Sequence, residues 1–193
     1  MTDIASRPAL NGQDLDAAIE HARAALAALL RVPVGGDGYP KVIAEARALL
    51  GTLLEYRLAQ AGARRQERDQ AVIAATRADR NEAIAVNAAL LYWLPADDPA
   101  WPDVAMTVGR LSYDRYSDAW PDAEPPDPDD LDAACDLLLR AARNHKADER
   151  TTLYLVLALR DREQLMACPA DTSALMTWGK RLLSFPEAGG SPR

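Results

Sequence analysis

The chain is poor in the residues that build strands, metal sites and disulfide frameworks. Its 193 residues include two cysteines, two histidines and one phenylalanine, and its β-branched residues never form the alternating runs of a half-buried strand. Cys135 and Cys168 are far apart and follow no paired spacing, so they do not form a metal framework. Cys135 stands on an apolar helical face, which predicts a buried free thiol. These absences favour an all-α fold without a metal site.

The residues that carry catalysis are equally sparse. His21 and His145 lack a second histidine, a cysteine or a carboxylate at ligand spacing on the same helical face. The glycine-rich segment 35–38 follows no strand and precedes no Gly-Lys-Ser/Thr, which favours a turn over a phosphate loop. The acidic run 127–132 lacks the central glycine of a calcium loop. The sequence therefore predicts a chain that is not an enzyme and that uses no cofactor.

Excess basic charge and long apolar runs are also missing. The 29 acidic residues outnumber the 22 basic ones and give a formal net charge of −7, which opposes binding to nucleic-acid phosphates and anionic membranes. No stretch approaches the roughly 20 apolar residues that cross a bilayer, and residues 1–10 lack the pattern of a signal peptide. We expect a cytoplasmic protein that binds neither nucleic acid nor membrane.

What the sequence does contain is helical periodicity. The hydrophobic fraction is 49%, mostly alanine and leucine, and apolar residues recur every three or four positions between segments rich in proline and glycine. The predicted helices span 14–31, 40–61, 79–94, 102–117, 130–144, 148–162 and 172–184. Whether Pro40 to Ala78 forms one helix or two is left open. We expect a single domain at 13–185, with a flexible N-terminus (1–12), a long Pro/Asp-rich loop (118–129) and a disordered tail (186–193).

Short segments of the chain repeat. Asp14-Leu15-Asp16-Ala17-Ala18-Ile19 recurs as Asp130-Leu131-Asp132-Ala133-Ala134-Cys135 and, more loosely, as Asp79-Arg80-Asn81-Glu82-Ala83-Ile84. Each copy is expected to open a helix, and the third is similar to a capping box. Tyr39-Pro40 and Trp101-Pro102 are expected to open the helices in between. This alternation predicts helical hairpins that stack into an α-solenoid of about seven or eight helices.

Between residues 79 and 143 the chain also carries a recognisable set of packing motifs. They are Asn81-Glu82-Ala83-Ile84, Asp97-Asp98-Pro99, Val108-Gly109, Tyr113-Asp114-Arg115-Tyr116 and Asp130-Leu131-Asp132-Ala133-Ala134. With them the segment resembles the degenerate tetratricopeptide-like (TPR-like) repeats of actinobacterial proteins, which often accompany caspase-like CHAT protease domains. The resemblance implies stacked helical hairpins that act by binding a partner, and it implies no catalytic residues.

Aromatic residues are few but concentrated between Leu91 and Pro121. They are Tyr92, Trp93, Trp101, Tyr113, Tyr116 and Trp120. One explanation is core packing between neighbouring hairpins. The other is a partner-binding cluster on the concave face, because Tyr, Trp and Arg dominate interface energetics. The residues predicted for that cluster are Arg110, Tyr113, Arg115, Tyr116 and Trp120.

The leading hypothesis is a non-catalytic scaffold or adaptor that binds a peptide or protein segment on its concave face. One alternative is a helical small-molecule sensor, or a small helical enzyme, with a pocket near Trp93 and Trp101. Another is a self-associating structural protein, a homo-oligomer, because the end hairpins of a solenoid expose apolar faces unless they are capped.

Overall fold

Helices are the regular secondary structure of the part of the chain that the structure describes. The computed structural model describes residues 12–31, 39–63, 70–118, 126–144, 147–166 and 169–185. These residues form seven helices and no strand: α1 (Gly12–Arg31), α2 (Tyr39–Ala63), α3 (Gln70–Trp93), α4 (Trp101–Ser117), α5 (Pro128–Asn144), α6 (Glu149–Met166) and α7 (Pro169–Leu182). The prediction of an all-α fold is confirmed for them. None of these helices is long and apolar enough to cross a membrane.

Two helices, α4 and α6, start at local signals that the sequence provides. Before α4, the Asp98 carboxylate accepts a hydrogen bond from the Ala100 amide at 2.8 Å, and Pro102 occupies the first turn. Before α6, the Asp148 carboxylate accepts one from the Thr151 amide at 2.7 Å, which satisfies a first-turn donor. The predicted starts of these two helices lie within one residue of those observed.

The predicted helix start at Asp79 is wrong. Asp79 and Glu82 lie inside α3, which is described from Gln70 onward. Residues 64–69 lie outside the described residues, so whether Pro40 to Ala78 forms one helix or two stays open. Because no glycine or proline occurs between residues 70 and 94, nothing interrupts the helix there. The two carboxylates instead accept hydrogen bonds from arginine side chains of other helices. Arg57 of α2 donates to Asp79, and Arg23 of α1 donates to Glu82, with 2.8 Å from Nε to Oε1.

The chain divides into two compact units, Met1–Val86 (unit 1) and Asn87–Arg193 (unit 2). The single domain at 13–185 stays a prediction. Of the predicted flexible N-terminus (1–12), residues 1–11 lie outside the described residues and Gly12 begins α1; of the predicted loop (118–129), residues 119–125 lie outside them and the last two residues belong to α5. The predicted tail (186–193) also lies outside them. In unit 1, α1 packs on α2. Asp16 near the start of α1 lies 3.0 Å from Arg57 near the end of α2, so the two helices are antiparallel.

In unit 2, α4 packs on α5, α5 on α6 and α6 on α7, and α4 also contacts α6. Neighbours along the chain are antiparallel, because the end of α4 meets the start of α5 and Arg181 in α7 donates to the carbonyl of Ala147, just before α6. The α4–α5 approach is close, since a Cβ on Gly109 would lie 2.7 Å from Cγ of Leu138. The main core cluster includes Leu131, Cys135, Leu138, Leu155, Leu159 and Trp178.

Ion pairs of one kind link three pairs of consecutive helices along the chain. In each, an arginine in the second half of an even-numbered helix donates to a buried aspartate of the next helix. The pairs are Arg57–Asp79, Arg115–Asp130 and Arg162–Asp171. The three aspartates are 8%, 6% and 3% exposed. We call each pair a clasp. Because a buried carboxylate is costly unless it is paired, the clasp selects one register between the two helices.

When the even-numbered helices are aligned on their clasp arginines, the same sequence positions are buried in each helix. The residues seven and three positions before each clasp arginine are at most 3% exposed. They are Leu50 and Leu54 in α2, Val108 and Ser112 in α4, and Leu155 and Leu159 in α6. The predicted equivalence of Asp79 and Asp130 agrees with this register, and Asp171 joins them.

Two of the clasps also reach back to the preceding helix. Arg57 lies 3.0 Å from Asp16 of α1. Arg162 lies 3.1 Å from Asp136 and 3.5 Å from Asp132, both in α5. One guanidinium therefore joins three consecutive helices in each unit: α1, α2 and α3 in unit 1, and α5, α6 and α7 in unit 2.

Candidate functional site

Tyr113 lies inside unit 2 and takes part in packing. It is 6% exposed, and its hydroxyl donates to Oδ2 of Asp161 in α6 at 2.7 Å. Its ring meets Tyr154 edge-on, with the centroids 6.0 Å apart. Burial, together with the Asp161 carboxylate, raises the pKa of the Tyr113 hydroxyl well above its usual value. Tyr113 therefore packs in the core of unit 2, as the first of the two explanations for the aromatic residues expects.

The other predicted partner-binding residues have different surroundings. Arg115 forms its clasp with Asp130, with 2.6 Å from Nε to Oδ2. Tyr116 is half-buried, with its ring centroid 6.3 Å from that of Tyr113. Arg110 is half-buried, donates to Oγ1 of Thr107 at 3.4 Å and lies close enough to Asp148 to favour its ionised form. Trp120 lies outside the described residues.

The structure thus brings Tyr113 and Tyr116 together and uses Arg115 in a clasp. Their assignment to a partner-binding cluster stays a prediction. Sequence analysis missed Tyr154 and Asp161, which complete the surroundings of Tyr113. Both are on α6, and no motif links α6 to the Tyr-Asp-Arg-Tyr segment of α4.

Trp93 and Trp101, predicted to flank a pocket, differ in exposure. Trp101 is 5% exposed and lies under the guanidinium of Arg140, 4.5 Å from the ring centroid. Trp93 is 60% exposed and meets the ring of Tyr92 edge-on. Arg140 also borders an open depression of about 410 Å³, which Asp136, Leu139 and Arg143 of the same helix line with it. A small-molecule pocket near these tryptophans stays a prediction.

Cys135 is a buried free thiol, as the sequence predicts. Burial raises its pKa to about 12, although the nearby Arg162 charge acts in the opposite direction. A thiol with such a pKa carries almost no thiolate at neutral pH, so it is a poor nucleophile. Among the described residues no group of three or more His, Cys, Asp and Glu side chains is placed to hold a metal ion.

A face of α6 offers a better-exposed candidate surface in unit 2. Leu153 is 41% exposed, and Leu157, one turn further, is half-buried. Arg150 and Arg160 stand before and after these leucines on the same helical face, because the four residues are spaced by three, four and three positions. We call these four residues the α6 stripe.

The two arginines of the α6 stripe have different neighbours. Arg160 keeps 49% of its side-chain surface exposed and pairs with the adjacent Asp161, with 2.6 Å from Nη2 to Oδ1. The guanidinium of Arg150 lies 6.0 Å from the ring centroid of Tyr154. Arg160 also donates from Nε to the same Oδ1 at 2.8 Å. Both arginines keep exposed surface at which an incoming carboxylate can meet them.

Comparisons with known proteins give no further assignment. No protein-family model, no curated protein and no solved structure matches this chain.

Proposed function

We propose that the chain is a non-catalytic protein-interaction module, built from TPR-like helical hairpins, that holds an acidic and apolar segment of a partner protein on the α6 stripe. The observation that carries the proposal is the stripe itself, in which two leucines stand between two exposed arginines on one helical face. Arginine and exposed apolar side chains are the residue types that protein interfaces use as anchors.

The repeated clasp supports the repeat architecture. A single helical hairpin cannot bury its apolar face, so repeated hairpins stack and leave one face of the stack for a partner. In unit 2, α6 contacts α4 of the preceding hairpin as well as its own partner α7, as expected for consecutive repeats. On this interpretation the even-numbered helices supply the binding face.

The spacing of the stripe indicates the chemistry of its ligand. Arg150 and Arg160 are ten residues apart, which corresponds to about 15 Å along a helix. A partner segment with apolar residues between two carboxylates matches this arrangement. The net charge of −7 opposes acidic ligands at long range, but at physiological ionic strength the Debye length is about 8 Å, so the local stripe dominates at contact.

Selection from a displayed library of random peptides on the immobilised chain tests the proposal. The enriched peptides are expected to share apolar residues flanked by Asp or Glu. A synthetic peptide with the enriched sequence is then titrated by fluorescence anisotropy. The double variant Arg150→Gln/Arg160→Gln is expected to weaken its binding about tenfold or more, because two charge-assisted contacts are lost.

The matched control is Arg77→Gln/Arg143→Gln, which removes the same charge from two exposed arginines outside the stripe. It is expected to leave binding unchanged. Equal weakening by both double variants would show non-specific attraction, and enrichment of peptides without acidic residues would contradict the proposed ligand. Circular dichroism at rising temperature checks that each variant keeps the stability of the parent chain.

A further inference from the structure

The outer face of α7 differs from the corresponding face of every other odd-numbered helix. The odd-numbered helices can be aligned on Asp14 in α1 and on the clasp aspartates of α3, α5 and α7. The residue five positions after each aspartate is Ile19 in α1, Ile84 in α3, Cys135 in α5 and Met176 in α7. The first three are at most 9% exposed, whereas Met176 is 62% exposed.

Two turns further along, the same face repeats this difference. The residue twelve positions after each of the same aspartates is Leu26 in α1, Leu91 in α3, Ala142 in α5 and Leu183 just after α7. Leu26 and Ala142 are 9% and 3% exposed, and Leu91 is partly buried against the Trp101 cluster. Leu183 is 86% exposed. Only α7 presents apolar residues to solvent at both positions.

In α5 this face is covered by the next helix. Cys135 is fully buried in the cluster that α5 shares with α6, and it lies close enough to Arg162 of α6 to feel its charge. The register position is therefore one at which this fold packs a further helix. By the same register, α7 offers a helix-binding face that no described residue covers.

We propose that this face binds the α7 of a second copy of the chain, with the two helices antiparallel about a two-fold axis. The α7 face consists of Ser173, Met176, Thr177, Lys180 and Leu183, all exposed. The one carboxylate of α7, Asp171, is held by Arg162 at 2.7 Å. Because the face itself carries no acidic residue, two copies can meet there without bringing carboxylates together, although the chain is acidic.

Antiparallel pairing also makes the face complementary to itself. An axis passing between residues 176 and 177 sets Met176 opposite Thr177, Lys180 opposite Ser173 and Leu183 opposite Ala170 of the other copy. The two lysines are thus kept apart, and a two-fold interface reuses one patch on both subunits.

Two further exposed apolar residues lie at the end of α6. Leu165 and Met166, which are 56% and 58% exposed, precede the start of α7 by a few residues. Leu183 of the second copy reaches this end of α7 in the antiparallel arrangement. Each dimer would therefore bury Leu183 in two equivalent places, in addition to Met176 at the centre.

Sedimentation equilibrium of the full chain over a wide concentration range tests the pairing. A monomer–dimer equilibrium is expected, and it should shift towards dimer as salt is added, because salt screens the repulsion between two copies of charge −7. Met176→Glu is expected to raise the dimer dissociation constant about tenfold or more, because it places two carboxylates near the axis. Leu49→Glu, at a 55% exposed leucine of α2, is the matched control and should leave it unchanged.

A cross-linking experiment locates the axis. In a Cys168→Ser background, Thr177→Cys is expected to form an intermolecular disulfide on mild oxidation, because a disulfide requires Cα atoms about 4.4–6.8 Å apart. Ser117→Cys, also exposed but on α4, should not. A chain that stays monomeric at every concentration and salt would overturn the proposal, as would equal weakening by Met176→Glu and Leu49→Glu. Melting temperatures that are unchanged at concentrations where the parent chain is monomeric confirm that the variants are folded.

Discussion

Arg57 in unit 1 and Arg162 in unit 2 hold equivalent clasp positions but differ in how completely they are paired. Arg162 keeps 13% of its side-chain surface exposed, and its Nε, Nη1 and Nη2 atoms all donate to carboxylates. Arg57 keeps 24% exposed, and its Nε is buried without a hydrogen bond to any residue that the structure describes. Their aspartates differ similarly, with Asp79 12% and Asp171 4% exposed at the side chain.

The difference shows that one repeated contact contributes unequally along the chain. A buried guanidinium contributes more to the free energy of unfolding when all its N–H groups donate hydrogen bonds. A buried N–H group without an acceptor carries a desolvation cost instead. We therefore expect unit 2 to depend more strongly on its clasp than unit 1.

The largest expected effect comes from removing each clasp arginine. Arg162→Met should lower the free energy of unfolding by about 3–5 kcal/mol, because it leaves Asp171 buried without its partner. Arg57→Met should cost about 1–3 kcal/mol, because Asp79 is more exposed and Arg23 lies 4.0 Å away. Urea unfolding followed by circular dichroism measures both changes.

The double variant Arg162→Met/Asp171→Leu distinguishes a lost pair from lost packing. It removes both charges, so it should recover much of the stability that Arg162→Met loses. Equal losses for Arg57→Met and Arg162→Met would remove the contrast between the two units.

An intermediate effect is expected at the close contact between α4 and α5. Gly109→Ala should lower stability by about 1–3 kcal/mol despite the better helix propensity of alanine, because its Cβ would lie 2.7 Å from Cγ of Leu138. The matched position in unit 1 is Gly51, which also lies six residues before its clasp arginine. Measuring Gly51→Ala alongside shows whether the close approach is a property of both units. A stabilising Gly109→Ala would contradict the packing described for α4 and α5.

The smallest expected effect concerns the two helix starts of unit 2 that differ in capping. The Asp148 side chain caps the start of α6, whereas the N-cap residue of α4, Ala100, makes no side-chain cap hydrogen bond. Asp148→Ala should cost about 1 kcal/mol at neutral pH. The hydrogen bond from Thr151 lowers the pKa of Asp148 in the folded chain. Its contribution is therefore complete above the unfolded pKa of about 3.9 and is lost as the pH falls through the lower folded value.

Unfolding free energies of the parent and Asp148→Ala, measured from neutral to acid pH, test this cap. The difference between them should be constant near neutrality and should shrink in strong acid. A difference that grows on acidification would mean that Asp148 acts by another route.

Much of the helical pattern was predictable because its signals are local. The start of α4 follows from Asp98 and Pro102, which act within a few residues of the helix. The error at Asp79 arose from the same reliance on local pattern. An Asp–x–x–Glu arrangement is typical of a helix cap. In α3 the two carboxylates lie inside a continuous helix and accept hydrogen bonds from Arg57 and Arg23 of other helices.

The predicted partner-binding cluster depended on contacts that periodicity does not reveal. The orientation of Tyr113 is set by Asp161, 48 residues later, and the partner of Arg115 is 15 residues away across the Pro-rich segment. The tyrosine–aspartate pair and the arginine–aspartate pair have different separations, so they give no fixed spacing to search for. The α6 stripe, in contrast, has a simple spacing, but only the exposure of Leu153 distinguishes it from a core-facing stripe.

The clasps also have a consequence for how such a chain can change in length. The arginine and aspartate of the three clasps are separated by 22, 15 and 9 residues, yet the register within the even-numbered helices is the same. Two side chains therefore link each pair of helices across connecting segments of different length. Insertions and deletions between the helices can accumulate without misaligning the hairpin, whereas a shift of one residue within either helix removes the buried aspartate from its arginine.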